Sequence, residues 1–514
     1  MIASSMALKR NIIANYVGQG WSAIMGLAFV PLYIQYLGME AYGLIGLFAV
    51  MQAWLTLLDM GMTPTLNREM ARFTAGAHSA QSIHDLLRSL EAICISLAVI
   101  IALTVWAASD YLASEWLKAD KLPITVVAHA ISVMSLVVAL RFVEGIYRGS
   151  LFGLQRQVWY NGVNASIATL RHAGAVAVLA WISPTVEAFF FWQAAISLLS
   201  IAIFAMGVHR VLPRSPLPPR FTRKAIADVW KFASGMMVVT FLAILLTQVD
   251  KVMLSRLLSL ESFGYYTLAA TVAGMLYIII GPITTACYPR LVELSTQKNQ
   301  IPIIFAYHQG AQLITLLTAP AMMLLSFFSE DVMFIWSGNV NLAEHTAPIL
   351  SIFVLGVFLN GLMHMPAQLQ LAYGWVSLGI KTNIVAVAVL IPAILWVVPR
   401  YGAIGAAWIW VVLNAGYVLI AIQFMHHRLL TSEKWRWYFD DVFLPASGSI
   451  GIMLLAKQFQ PTIYQNRWNE FFFLSIVGIL ALVTSTLLAG RIRSRLFAFM
   501  INNHLGKPYF RVRK

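Results

Sequence analysis

The chain has 514 residues, 60% of them hydrophobic and only 11% charged, with a mean hydropathy of +0.75. A soluble domain is about a quarter charged, so the natural solvent of this surface is lipid, and the length divides into spans of roughly 20 apolar residues rather than into soluble domains. The net charge of +14 is scattered through short loops, which argues against a nucleic-acid-binding face.

In chain order, apolar runs bounded by charges, Gly or Pro predict an all-α polytopic membrane protein of about fourteen transmembrane helices. The first six cover 11–36, 41–62, 90–109, 124–147, 161–182 and 188–208. Eight more cover 232–256, 264–287, 303–328, 346–371, 379–398, 402–424, 442–457 and 470–490, of which the thirteenth is the shortest. Residues 1–30 carry Lys9 and Arg10 before an apolar run. That run is too long for a signal peptide and has no A-x-A site, so it reads as an uncleaved first span. Cys94 and Cys287 lie far apart in or beside apolar segments, with no CxxC and no histidine at ligand spacing; both read as small apolar residues, and no metal or cofactor is implied.

Lys and Arg gather in cytoplasmic loops. With the N-terminus inside, 26 of the 35 fall on the cytoplasmic side and seven outside, which predicts that both termini are cytoplasmic. The remaining two, Arg141 and Arg171, sit within spans.

Two hairpins match at an offset of 221 residues: Leu37-Gly38-Met39-Glu40-Ala41-Tyr42-Gly43-Leu44 and Leu258-Ser259-Leu260-Glu261-Ser262-Phe263-Gly264-Tyr265. Each runs on to a proline followed by a base and an acid, Pro64 with Arg68 and Glu69, and Pro289 with Arg290 and Glu293. Six helices separate the copies, so both halves enter the membrane from the same side, as in a parallel repeat. The reading that follows is an N-terminal lobe (1–209), a basic linker rich in proline (210–231), a C-terminal lobe (232–425), a pair of added helices (426–490) and a basic tail (491–514).

Several strings carry a family likeness. Asn15-Tyr16 through Pro31-Leu32-Tyr33, the hairpin Leu37 to Gly43, and Leu58-Asp59-Met60-Gly61-Met62 running into Asn67-Arg68-Glu69 resemble the Wzx-type O-antigen and polysaccharide flippases of the multidrug/oligosaccharidyl-lipid/polysaccharide exporter superfamily. Asp250-Lys251 before Phe263-Gly264-Tyr265, Tyr288-Pro289-Arg290-Leu291, and Tyr401 to Ala407 extend the likeness over nearly the whole chain. The resemblance implies two pseudo-symmetric six-helix lobes around a central cavity opening alternately to each side of the bacterial inner membrane. Its cargo would be an undecaprenyl-pyrophosphate-linked oligosaccharide for surface polysaccharide, and its partners membrane lipids and the polymerase and chain-length machinery. Typical members have twelve helices; two extra helices occur in the related lipid II flippases.

Ionisable groups inside spans are costly and usually face a cavity or a partner. Arg171, near the midplane of helix 5, suits a pyrophosphate or acidic sugar, because its planar fork pairs bidentately with oxyanions; a structural partner on another helix is the plainer alternative. Arg141, Glu144 and Arg148 share a face of helix 4 at i, i+3 and i+7. They are either an intrahelical salt bridge or a basic patch lining the cytoplasmic entrance. His172 points about 100° away from Arg171 and reads as packed between helices.

Asn360, His364 and Gln368 form a polar uncharged stripe on helix 10, fit for sugar hydroxyls or for interhelical hydrogen bonds. Gate candidates are Asp59, able to pair with Arg68 or Arg72 or to cap a helix end, Asp250 with Lys251 near the periplasmic mouth, where snorkelling interfacial residues are the plainer alternative, and Arg290. No phosphate-binding loop, nucleophile elbow or HExxH is present, so transport would be driven by gradients, membrane potential or removal of cargo. An exporter of cationic drugs would show an unpaired deep carboxylate in the N-terminal lobe, and a polymerase or ligase a large external loop; the arginines and the short loops favour an anionic cargo and a carrier rather than an enzyme.

Overall fold

In a computed structural model of the protein, described here for residues 2–59, 61–215, 217–222, 241, 244–245, 247–296, 300–460 and 466–494, the described chain is helical apart from short connections. Helix is dictated by the solvent: a backbone amide without a partner in hydrocarbon costs several kcal/mol, and only helices or closed barrels satisfy every one. Eleven helices among the described residues are long and apolar enough to cross a membrane, and Met39–Leu55 forms a shorter apolar helix. Of the span expected at 232–256, residues 247–256 are helical, and residues 232–240, 242–243 and 246 lie outside the described residues.

The longest of the eleven, Ser377–Leu429, has 53 residues. At 1.5 Å per residue it would extend about 80 Å, more than twice the ~30 Å hydrocarbon core, so it has to cross twice. The turning point is Gly402, at φ 59° and ψ −146° inside an otherwise helical run. A side chain is strongly disfavoured there. The two spans expected at 379–398 and 402–424 are thus separated where that glycine stands.

The chain forms two compact units, Met1–Gly264 and Tyr265–Lys514. In the first, α1 (Ile2–Ala28) and α2 (Val30–Leu37) are one span bent ahead of Pro31, followed by α3 (Met39–Leu58) and the amphipathic α4 (Met62–Thr74). The spans α5 (Ala80–Ala107), α6 (Ile124–Gly153), α7 (Gln157–Trp181) and α8 (Val186–Val211) complete it, with the first turn of α9 (Leu260–Ala273). α6 is the central helix and packs on α5, α8, α4 and α3.

Its glycines Gly145, Gly149 and Gly153 recur every fourth residue and face α4. A Cβ at 149 would stand 2.6 Å from the Thr63 carbonyl oxygen and one at 153 would stand 2.3 Å from that of Asn67. This is the small-residue stripe by which membrane helices approach backbone to backbone. α7 packs along α1 through a polar ladder: Asn161 donates to Asn15 (2.6 Å), Asn164 to Ser22 (3.2 Å) and the Trp21 indole to Thr169 (2.9 Å).

In the second unit α10 (Leu276–Thr296), α11 (Gln300–Phe327), α12 (Ser329–Ser337) and α13 (Val340–Leu362) lead to α14 (His364–Ala372), then α15 (Val376–Gly416) and α16 (Ile422–Leu429). The last two spans are Lys434–Gln458, which ends in α17 (Leu444–Gln458), and α18 (Arg467–Leu488). The thirteenth span is therefore longer than the 442–457 expected, because it begins with charged and aromatic residues. Both pack on α11, through a core of Phe328, Met453, Ala456, Leu474, Val477 and Ala481 and through buried hydroxyls, Ser449 lying 2.7 Å from Ser485.

Candidate functional site

Arg171 lies 14 residues into the 25-residue α7, about 21 Å along it and so near mid-span. Glu144 reaches it from α6: Arg171 Nη2 stands 3.7 Å from Glu144 Oε2, and each side chain is 15% exposed. The pair is interhelical, which is neither the intrahelical bridge nor the open basic patch between which the sequence leaves Glu144, because this face of α6 aims the carboxylate at α7.

The pairing is incomplete. At 3.7 Å it is an ion pair without a hydrogen bond, and Arg171 Nε and Nη2, like Glu144 Oε2, are buried with no hydrogen-bond partner in the described protein. Arg141 is held more firmly: it donates to Gln52 (2.6 Å) and to buried Gln193 (3.0 Å) and lies 5.1 Å from the centroid of the Phe48 ring, while its Nε is unpartnered. Two guanidiniums, one carboxylate and two amides thus meet inside a membrane bundle, with net positive charge and unspent donors. Such an arrangement can take a multivalent oxyanion, since each buried donor without a partner costs roughly 1–3 kcal/mol until one arrives.

Arg148 is exposed, beside Asp59 and Tyr160, one to two turns further along α6. His172 is packed as expected: its Nδ1 is 3.0 Å from the Tyr33 hydroxyl and its ring stacks on Phe29 and Tyr33.

The gate candidates take other partners. Asp59 does not pair with Arg68 or Arg72; it accepts from the Thr63 amide (3.1 and 3.2 Å) and hydroxyl (2.8 Å), capping the start of α4. Both arginines instead meet buried Glu69, at 3.4 and 2.9 Å. A carboxylate one turn before a helix start satisfies amides that the helix leaves free, which is why Asp59 stays. Asp250 is buried, and Lys251 folds back on it at 3.5 Å while donating to the Thr247 carbonyl. Arg290 pairs with Glu293 at 2.7 Å on an exposed surface, a contact of little energetic weight.

The polar stripe of the second unit is broken. Pro366 has no amide for the carbonyl of Leu362, and the helix interrupts at Met363, leaving Asn360 at the end of α13 and His364 and Gln368 on α14. Asn360 is fully engaged, accepting from the Tyr277 hydroxyl (2.9 Å) and donating to buried Asn414 (2.8 Å). The Tyr277 and His364 rings stand 5.9 Å apart, and Gln368 is half-buried.

The sequence reading passed over a buried charge cluster on α11. His308 bonds Asp441 through Nδ1 and Glu433 through Nε2 (3.1 Å), and all three side chains are buried. Arg436 pairs with the same glutamate at 3.2 Å, and Gln312 one turn on donates to the Asp440 carbonyl and accepts from the Arg491 and Ile492 amides. Asp440-Asp441 stood just ahead of the predicted span 442–457 and so was not counted as intramembrane; the aromatic run Trp435 to Phe439 before it was the signal that the span begins earlier. Cys94 and Cys287 are both free.

The helical spans define a polytopic membrane protein, and its fold is that of solved transporters. The structure matches a lipid II flippase MurJ in an inward closed conformation with a TM-score of 0.68, at 12% identity over 97% of this chain and 99% of that one. It also matches an inward-facing multidrug resistance MATE family transporter of the MOP superfamily with a TM-score of 0.61, at 12% identity over 83% of this chain and 99% of that one.

The particular family follows from the sequence: residues 8–295 match the model of the family described as polysaccharide biosynthesis protein, more than half of the chain, and the protein belongs to that family. A Shigella flexneri protein named "Putative O-antigen transporter" is 22% identical over 430 residues, 82% of this chain and 99% of that protein.

Proposed function

We propose that the protein is a flippase that carries undecaprenyl-pyrophosphate-linked oligosaccharide units from the cytoplasmic to the periplasmic leaflet of the bacterial inner membrane, by alternating access, for surface polysaccharide. The family, the O-antigen transporter relative and the MurJ-like fold support a carrier of lipid-linked glycans. The observation that carries the choice of an anionic head group is Arg171, buried at mid-span with Nε and Nη2 unspent and only a loose contact to Glu144.

In this reading Arg171 and Arg141 meet the pyrophosphate. Glu144 holds Arg171 while the site is empty and yields to the more highly charged phosphate. Arg148 receives the head group at the cytoplasmic entrance, Asn360, His364 and Gln368 face the sugars, and Asp59, Arg68, Asp250, Lys251 and Arg290 belong to the elements that change partners between states. Both termini are cytoplasmic, and the delivered unit passes to the polymerase and chain-length machinery.

Deletion of the gene in its host tests this. Surface polysaccharide should be lost and the lipid-linked unit should accumulate in the inner leaflet. Normal polysaccharide together with raised sensitivity to cationic dyes would instead identify a drug exporter.

A further inference from the structure

The two hairpins that match at an offset of 221 residues meet each other, and they meet reciprocally. A Cβ at Gly43 would stand 2.3 Å from the carbonyl oxygen of Leu260, and one at Gly264 would stand 2.8 Å from that of Met39. Gly43 and Gly264 are counterparts in the repeat, as are Met39 and Leu260. Each hairpin therefore presents the same glycine to the same carbonyl of the other, as in a self-complementary two-fold contact. Only hydrogen in place of a side chain permits that approach.

Over this contact lies residues 116–122, held from both sides. Buried Glu40, on the first hairpin, accepts from three successive backbone amides of the segment, those of Asp120, Lys121 (2.9 Å) and Leu122 (2.9 Å). Its counterpart Glu261, on the second hairpin, takes the Lys121 ammonium at 2.7 Å. The segment also pairs with the second hairpin through its backbone, Leu260 donating to the Lys118 carbonyl at 2.8 Å beside a parallel bridge between Lys118 and Ser259. Its flank is fixed by Trp116, which donates to Ser255 (3.1 Å) and lies 5.0 Å under the Arg256 guanidinium.

We propose that residues 116–122 are a strap that latches the two repeat-related hairpins together on the lysine- and arginine-poor face, and that this face opens only when the strap releases the second hairpin. The division of labour follows from bond type. Glu40 anchors the strap permanently, with three amide bonds to a buried carboxylate. The release side is a set of single contacts near the surface, which water can replace: the Lys121–Glu261 ion pair, the Lys118 ammonium on the Leu257 carbonyl, a short backbone bridge, and Trp116 against Ser255 and Arg256.

The latch does not depend on which solute is carried, and it is tested with and without cargo. In a chain whose Cys94 and Cys287 are replaced by alanine, Lys118→Cys with Ser259→Cys places two thiols at a backbone bridge, within reach of a disulfide. Oxidation should abolish polysaccharide export and reduction should restore it, while either single variant exports normally. Complete cross-linking with export intact would overturn the latch.

A second readout needs no cargo. Ala41→Cys, at a buried position beside the Glu40 anchor, should react with a membrane-impermeant maleimide about tenfold faster when Glu40→Gln is added, the response expected from weakening roughly 1.4 kcal/mol of charge-assisted bonding. Equal labelling rates would also overturn the latch.

Discussion

Two buried charge clusters, one in each unit, differ in how completely they are paired. Around His308 the aromatic base bonds Asp441 and Glu433, Glu433 also meets Arg436, and neighbouring Gln312 is spent on backbone groups at both ends of the last two helices. Around Arg171 the ion pair stands at 3.7 Å without a hydrogen bond, and Nε and Nη2 have no partner. The His308 cluster leaves only one carboxylate oxygen, Asp441 Oδ1, without a partner and so mainly fixes architecture; the Arg171 site leaves two donors and a carboxylate oxygen unspent, a cost that a ligand relieves. Burial and charge alone do not distinguish the two.

The comparison is broken most directly at His308. His308→Ala leaves Asp441 and Glu433 buried beside each other without their shared base, and removal of one partner from a buried pair costs about 3–5 kcal/mol. The expected outcome is loss of protein from the membrane, with export per remaining molecule unchanged. Normal abundance with reduced export would move this cluster into the transport site.

Arg171→Ala should do the reverse. It removes a guanidinium whose Nε and Nη2 donate to nothing, and with Glu144→Gln added, so that no buried carboxylate is left without its counter-ion, abundance and thermal stability should change little, while loss of a buried charge contact to cargo costs roughly 2–5 kcal/mol. Export should fall at least about thirtyfold, and Arg171→Lys should recover only part of it, since an ammonium cannot make the bidentate contact. Full export by Arg171→Ala, measured as surface polysaccharide against immunoblotted protein, would take the residue out of the mechanism.

The frame that aims Glu144 at α7 is testable at a smaller scale. Gly149 and Glu144 share α6, and a methyl at 149 meets the Thr63 carbonyl of α4 at 2.6 Å. Gly149→Ala should destabilise by about 1–3 kcal/mol and lower export in parallel, because α6 must shift. Gly162→Ala, where nothing lies within 4 Å of the added atom, is the control that should change neither.

The span pattern was legible because hydrocarbon dictates it: nearly every predicted segment has a helix over it among the described residues, and the Gly402 break falls where charge and proline had placed the turn. Arg171 and Arg141 stand out in any sequence that pays to keep arginine in lipid. Their partners were not legible, since Gln52, Gln193 and Glu144 meet them across helices whose rotation depends on packing.

Asp59 shows the complementary difficulty, because a cap on Thr63 and a bridge to Arg68 are equally compatible with its spacing. The glycine stripe at 145, 149 and 153 was visible as a period of four and was passed over, because glycines carry no chemistry until the opposing backbone is known. His308 was hidden by a boundary: with the thirteenth span begun at 442, its two acids fell outside the membrane.

The smallest effect belongs to the seam between the second unit's loops, and it separates structural charge from functional charge by pH. Asp331 is buried and accepts from Gln460 at 2.8 and 2.9 Å. Burial holds its carboxyl above the usual carboxylate range, only partly offset by Gln460 and by the nearby Lys457 ammonium. An acid whose pKa is higher in the folded than in the unfolded state binds its proton more tightly when folded. Its contribution therefore favours folding below the ordinary carboxylate pKa, declines as pH rises through the folded value, and is a constant penalty above it.

Asp331→Asn keeps an acceptor for Gln460 and removes the charge. At pH 7.5 the variant should be the more stable by on the order of 0.5 kcal/mol, and this advantage should shrink as pH falls toward 4. Thermal unfolding of purified protein across that range reads the difference directly, and an advantage independent of pH would show that the Asp331 carboxylate carries no such penalty.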